Sequence, residues 1–150
     1  MIFELKDIQS MVEFAKKNLD FFTQCKCFAF DGEMGTGKTT IIQEIIRNMG
    51  IYDLQGSPTY SIVNEYQTGR GLNVYHLDCY RLKNDAEAFE LGMEELLSKK
   101  NPIFIEWPEK IKRFLPIDTI WVKLYINENH IRTIEIADEY RSWTLKKTHS

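Results

Sequence analysis

The chain has 150 residues, 43% hydrophobic and 27% charged, with a formal net charge of −3. That length supplies one domain with a real core, that balance excludes bulk disorder, and no apolar run approaches the ~18 residues of a membrane span. Mild acidity argues against a broad basic footprint for nucleic acid.

The first seven residues carry acids early and no apolar stretch with a small-residue cleavage site, so no secretory signal is expected. From Asp7 to Asn18, Ile8, Met11, Val12 and Ala15 recur at the spacing of one helical face, with Leu19 continuing it. Residues Lys26–Asp31 are a short β-leaning run ending at Gly32. From Lys38 to Met49 the isoleucines 41, 42, 45 and 46 predict a second amphipathic helix, stopped at Gly50. Tyr60–Tyr66 and Leu72–Asp78 flank a glycine-containing loop and predict a hairpin. Asn84–Lys99 reads as helix interrupted at Gly92. Pro102–Glu106 is a short strand with proline where a missing N–H matters least. Ile120–Ile126 and Ile131–Ile136 alternate with period two and predict a second hairpin. The polar stretch 138–150 is expected to fray. No repeat or linker divides the chain, so 1–150 is expected to form a single α/β domain built on a mixed sheet.

Three cysteines, Cys25, Cys27 and Cys79, with no secretion signal read as reduced thiols in a cytosolic protein. Cys25 and Cys27 would share one face of a strand. No second Cys/His pair stands at zinc-site spacing, so buried structural thiols are the expectation.

The segment Gly32-Glu33-Met34-Gly35-Thr36-Gly37-Lys38-Thr39-Thr40 matches G-x-x-x-x-G-K-[ST]. At average residue usage a chain of this length shows that pattern by chance roughly once in 200. A strand before it and an amphipathic helix after it supply the setting it requires. Glycines let backbone N–H groups turn inward on phosphate oxygens, and the helix start adds unpaired N–H groups and a partial positive charge. Lys38 then reaches the β- and γ-phosphates, the Thr39 hydroxyl is suited to Mg²⁺, and Thr40 can donate to the α-phosphate. The competing reading is a glycine-rich turn before a surface helix.

Magnesium takes hard oxygen ligands, usually including one or two carboxylates, and ligands bind beyond the carboxyl ends of strands in open α/β sheets. Asp78 and Glu106 each end an apolar strand. Either alone could mark an exit to solvent; together, behind a phosphate loop, they favour function. Ser57-Pro58-Thr59-Tyr60 is either a γ-phosphate-sensing switch or an ordinary proline turn. His76, two residues before Asp78, reads as structural, because no nucleophile turn accompanies it. Trp107, Trp121 and Trp143 read as packing aromatics.

Taken together, GEMGTGKTT (32–40), SPTYSIVNEY (57–66), VYHLDCYRL (74–82) and FIEWPEK (104–110) resemble the TsaE (YjeE) family. These are small bacterial P-loop ATPases of threonylcarbamoyladenosine modification of tRNA. The resemblance implies a P-loop NTPase-like three-layer sandwich with a mixed, partly antiparallel sheet. It implies ATP cradled by Gly35, Thr36, Gly37, Lys38, Thr39 and Thr40, and Mg²⁺ on Thr39 and Glu106. Asp78 would be needed for hydrolysis, Thr59 would belong to a switch-like loop, and Trp107 would lie beside the site. Arg132 and Ser10 would stand near the nucleotide. Implied partners are the TsaB and TsaD proteins, with tRNA no main contact. The chain's one departure, Glu33-Met34 in the loop, keeps an apolar residue before Gly35.

Hydrolysis of ATP to ADP and phosphate is therefore expected. The six arginines form no cluster that flags an arginine finger, so slow turnover alone and a change with partners are expected. The rivals are a small-molecule kinase, for which no arginine-rich lid is visible, and a nucleotide-dependent binding module that never hydrolyses ATP.

Overall fold

In the computed structural model, which describes residues 1–51, 62–68 and 71–137, the helices form for identifiable local reasons. Helix α1 (Ile8–Lys17) starts where the Asp7 carboxylate accepts from Ser10 N at 2.8 Å, and it buries Met11, Phe14 and Ala15. A one-turn helix α2 (Leu19–Phe22) follows and drives Phe22 fully inside. Helix α3 (Lys38–Asn48) buries all four of its isoleucines. The expected break at Gly92 separates α4 (Asp85–Glu90), capped by the Asn84 side chain, from α5 (Met93–Leu97). A 3-10 helix (Pro108–Phe114) had no counterpart in the periodicity.

The strands are β1 (Ile2–Leu5), β2 (Cys27–Asp31), β3 (Val63–Gln67), β4 (Asn73–Asp78), β5 (Ile103–Glu106), β6 (Ile120–Ile126) and β7 (Arg132–Ala137). They form one sheet in the order β1-β7-β6-β2-β5-β4-β3. Strands β6, β2, β5 and β4 run parallel to their neighbours among themselves. The flanks are antiparallel: β3 on β4, β7 on β6 and β1 on β7. Both expected hairpins are present. Strand β1 was not anticipated; its alternation is only four residues long, and it acquires a partner only when β7 is folded beside it.

Two apolar layers make this a three-layer sandwich. Phe28, Phe30, Val74, Phe104, Val122 and Leu124 project from one face of the sheet onto α1, α2 and α3. Cys27, Tyr75, Leu77, Ile103 and Ile105 project from the other onto α4, α5 and the 3-10 helix. On the first side Phe28 and Phe104 stack with ring centroids 5.2 Å apart, and Phe22 lies 5.2 Å from Phe28. Fully burying each such ring stabilises the fold by about 1.5–3 kcal/mol.

Cys25 departs from expectation. Lys26 N donates to Gln24 O at 2.8 Å, the chain bends there, and β2 begins only at Cys27. Cys25 is exposed and shares no strand face with Cys27, whereas Cys27 and Cys79 are buried. Burial pushes both of these thiols up to about 12. Thr59 with its Ser57–Tyr60 block, Trp143 and the stretch 138–150 lie outside the described residues. Among the described residues no helix is long and apolar enough to cross a membrane.

Candidate nucleotide site

Strand β2 delivers the chain to Gly32 at the carboxyl edge of the sheet. A Cβ there would fall 2.6 Å from the Leu124 carbonyl oxygen and 2.9 Å from Thr36 Oγ1, so glycine alone fits. Gly37, at φ 93°, turns the chain into α3. Gly37 has no side chain to cap the helix, and the first turn carries no acid. The first helical bond runs from Ile41 N to Gly37 O. The N–H groups of Lys38, Thr39 and Thr40 therefore have no partner within the helix and present its positive end to the cleft.

Lys38 is 5% exposed. Its ammonium donates to the Gly32 carbonyl at 2.5 Å and stands 3.6 Å from the centroid of the Trp107 ring. Burial holds its pKa below the ordinary lysine value, with Glu106 foremost among the acids that partly offset the shift. Trp107 has φ 57° and ψ 53°. Pro108 disfavours the right-handed helical region for the residue before it, and the left-handed turn adopted instead costs on the order of 1–3 kcal/mol. The indole is thereby laid over Lys38, with the Tyr80 ring 5.0 Å from it.

The two acids of the sequence reading come together. In the parallel pairing of β4 with β5, Asp78 lies opposite Glu106. Glu106 is buried, and its Oε1 accepts from Thr39 Oγ1 at 2.7 Å. Its Oε2 lies 2.7 Å from His76 Nε2. Asp78 is exposed at the mouth and accepts from Tyr80 N at 3.2 Å. Thr39 spends its hydrogen on Glu106, which leaves its lone pairs free for a cation. Thr39, Glu106 and Asp78 are the hard oxygen set that magnesium takes. Among the described residues no group of three or more His, Cys, Asp and Glu could hold a metal; a nucleotide-borne magnesium draws its other ligands from phosphates and water.

On the far wall, Arg132 Nη1 reaches Met11 Sδ at 3.8 Å. Its Nε is buried without a hydrogen-bond partner. That nitrogen stands 3.4 Å from where a Cβ on Gly37 would be. An orphaned guanidinium nitrogen beside a phosphate loop fits an acceptor such as an anion. One cleft of about 460 Å³ gathers Lys38, Thr39, Thr40, Asp78, Glu106 and Arg132, with Gly35 and Gly37 on its floor. Ser10 does not line it; its hydroxyl donates to Asp7 at 2.8 Å. Thr36 faces a second cleft of about 640 Å³ across Met34 and Trp107, and its hydroxyl donates to Glu33 O.

Two features escaped the sequence reading. His76 was assigned a structural place, yet it holds the buried acid of the site; its period-two relation to Asp78 was the available signal. Trp107 forms the seat of Lys38; the only hint was the Trp-Pro pair directly after Glu106.

A strand–loop–helix of this form at the carboxyl edge of parallel strands defines a P-loop protein of the nucleotide-binding kind. The family model described as threonylcarbamoyl adenosine biosynthesis protein TsaE matches residues 5–134. The chain is 40% identical over 115 residues to the Rickettsia bellii tRNA threonylcarbamoyladenosine biosynthesis protein TsaE, covering 73% of this chain and 76% of that one. It is 37% identical over 123 residues to its Borreliella burgdorferi namesake, covering 81% and 88%. A crystal structure of Bacillus subtilis YdiB superposes with a TM-score of 0.73 at 22% identity, over 99% of this chain and 92% of that one, which shows a shared fold. The chain belongs to the TsaE family, whose place is in tRNA threonylcarbamoyladenosine biosynthesis.

Proposed function

We propose that this chain binds ATP with Mg²⁺ and hydrolyses it to ADP and phosphate. It does so as the ATPase accessory of the TsaB and TsaD proteins in the N6-threonylcarbamoyl modification of tRNA, in the cytoplasm. The observation that carries the reading is the convergence of Lys38, the open first turn of α3 and the Thr39–Glu106 hydrogen bond in one cleft, with Asp78 beside them. The N–H groups from Gly35 to Thr40 bind phosphate oxygens, and Lys38 leaves Trp107 and the Gly32 carbonyl to offset charge on the β- and γ-phosphates. Thr39 and Glu106 hold the magnesium, which when bound supplies charge neutralisation on the β- and γ-phosphate oxygens. Asp78, exposed at the mouth, orients the attacking water, and Thr59 senses the γ-phosphate. Arg132 offers its unpaired Nε to the nucleotide, and Ser10 lies near the base.

Phosphoryl transfer asks a protein chiefly for positioning and electrostatics. With no arginine cluster to complete the charge balance, turnover is slow alone and rises with partners. Calorimetry with magnesium and ATP tests binding, and phosphate release with and without TsaB and TsaD tests hydrolysis. Absence of binding heat overturns the reading. Turnover of the isolated chain at kinase-like ~1–100 s⁻¹ overturns its dependence on partners. Transfer of phosphate to a metabolite, in place of free phosphate, makes the chain a kinase. Binding without phosphate release under both conditions makes it a switch.

A further inference from the structure

His76 sits on β4 one row below the mouth of the cleft, in register with Phe104, and is 6% exposed. Val74, His76 and Asp78 alternate along one face of that strand, the face that looks toward α3. The imidazole reaches diagonally to the neighbouring strand, where its Nε2 lies 2.7 Å from Glu106 Oε2. A carboxylate only accepts, so the shared hydrogen belongs to Nε2. Glu106 is thus held at both oxygens, by His76 from below and by the Thr39 hydroxyl at 2.7 Å from α3. A buried carboxylate held at one oxygen keeps a free torsion and an unpaired lone-pair set, which is costly in an apolar setting.

We infer that His76 is a positioning residue for the metal seat: it locks the Glu106 carboxylate so that Oε1 stays on Thr39 and the threonine lone pairs stay turned toward the cation. The inference rests on the proposed binding of magnesium nucleotide and deepens it. His76 touches neither nucleotide nor metal; it acts through Glu106, as an outer-shell partner acts through a ligand. Two donors from different elements, one on β4 and one on α3, fix the plane of the carboxylate where a single donor leaves it free to turn. Glutamine is the side chain best able to imitate the role, because its amide nitrogen extends about as far as the imidazole Nε2.

The test is binding of manganese and magnesium to the complex of the chain with a non-hydrolysable ATP analogue. It is read by electron paramagnetic resonance for manganese and by calorimetry for magnesium, alongside analogue binding in EDTA. In His76→Leu the metal affinity is expected to fall ~10–100-fold, with analogue affinity in EDTA within about twofold of the wild type. His76→Gln is expected to recover most of the loss. Glu106→Gln serves as the reference for a damaged seat. Unchanged metal affinity in His76→Leu overturns the inference. So do equal losses with and without metal, or a glutamine variant no better than the leucine one. If His76→Leu fails to fold, His76→Gln is set against His76→Asn, whose shorter amide falls short of Glu106; equal metal affinities in that pair overturn the inference. A wild-type chain that binds the analogue no better with metal than without it overturns the magnesium reading as well, which keeps the two failures apart.

Discussion

One face of the sheet does two different things along its length. At the amino-terminal end of the parallel strands, Phe28, Val74 and Phe104 meet Phe22 in a layer with no polar group. Two residues further along two of the same strands, the same alternation presents His76 and Glu106, both still buried. The base of the face stores stability through shape and apolar area. The mouth gives some of it up, since each buried polar group must be matched by a partner before it costs nothing. Strand β5 makes the change in two residues, from Phe104 to Glu106. The comparison teaches that this site is an extension of the core, with its rigidity inherited from the phenylalanine layer beneath.

Four measurements break or sharpen that contrast. The largest effect is expected at the mouth. Lys38→Ala removes charged contacts to two phosphates, each worth about 1.5–3 kcal/mol. It should weaken nucleotide binding by roughly 10²–10⁴-fold in calorimetry, with the folded state intact by circular dichroism. At the base, Phe22→Ala should cost about 3–5 kcal/mol in denaturant unfolding and leave nucleotide affinity of the folded fraction unchanged. A change in affinity larger than the change in stability would erase the distinction between the two ends.

The third measurement is a pH profile. Lys38 is held below its ordinary value of 10.5, so the unfolded chain keeps that proton to higher pH than the folded one. Stability of the ligand-free protein should therefore rise with pH through the interval between the lowered value and 10.5. Lys38→Met should flatten that rise, which urea titrations at a series of alkaline pH values would detect. The smallest effect is chemical. Cys27 and Cys79, with thiols pushed up to about 12, should resist alkylation at neutral pH in the native protein, while exposed Cys25 reacts. Mass spectrometry should count one label on the native chain and three after unfolding.

The parts of this molecule that could be read from the sequence are the local ones. The phosphate loop is legible because its glycines, lysine and threonine act within nine consecutive residues, and α1, α3 and both hairpins announce themselves by period. The pairing of Asp78 with Glu106 is not, because parallel register between β4 and β5 is set by packing across residues far apart in the chain. Both acids were legible as strand ends; their adjacency, and the reach of His76 to the second, exist only once those strands are side by side. The left-handed turn at Trp107 was hidden for another reason. A bulky residue seldom adopts it, and only the neighbouring Pro108 and the seat beneath the indole make it worthwhile. Cys25 failed to join Cys27 because a single tight turn at Gln24–Lys26 delays the strand.

Trp107 stands between the two clefts with a lysine ammonium resting on its ring. Any polyphosphate that draws the ammonium away strips a cation from an indole, and indole emission responds strongly to nearby charge. The molecule thus carries an optical reporter of its own loading, sited where occupancy of either cleft changes what the chromophore senses.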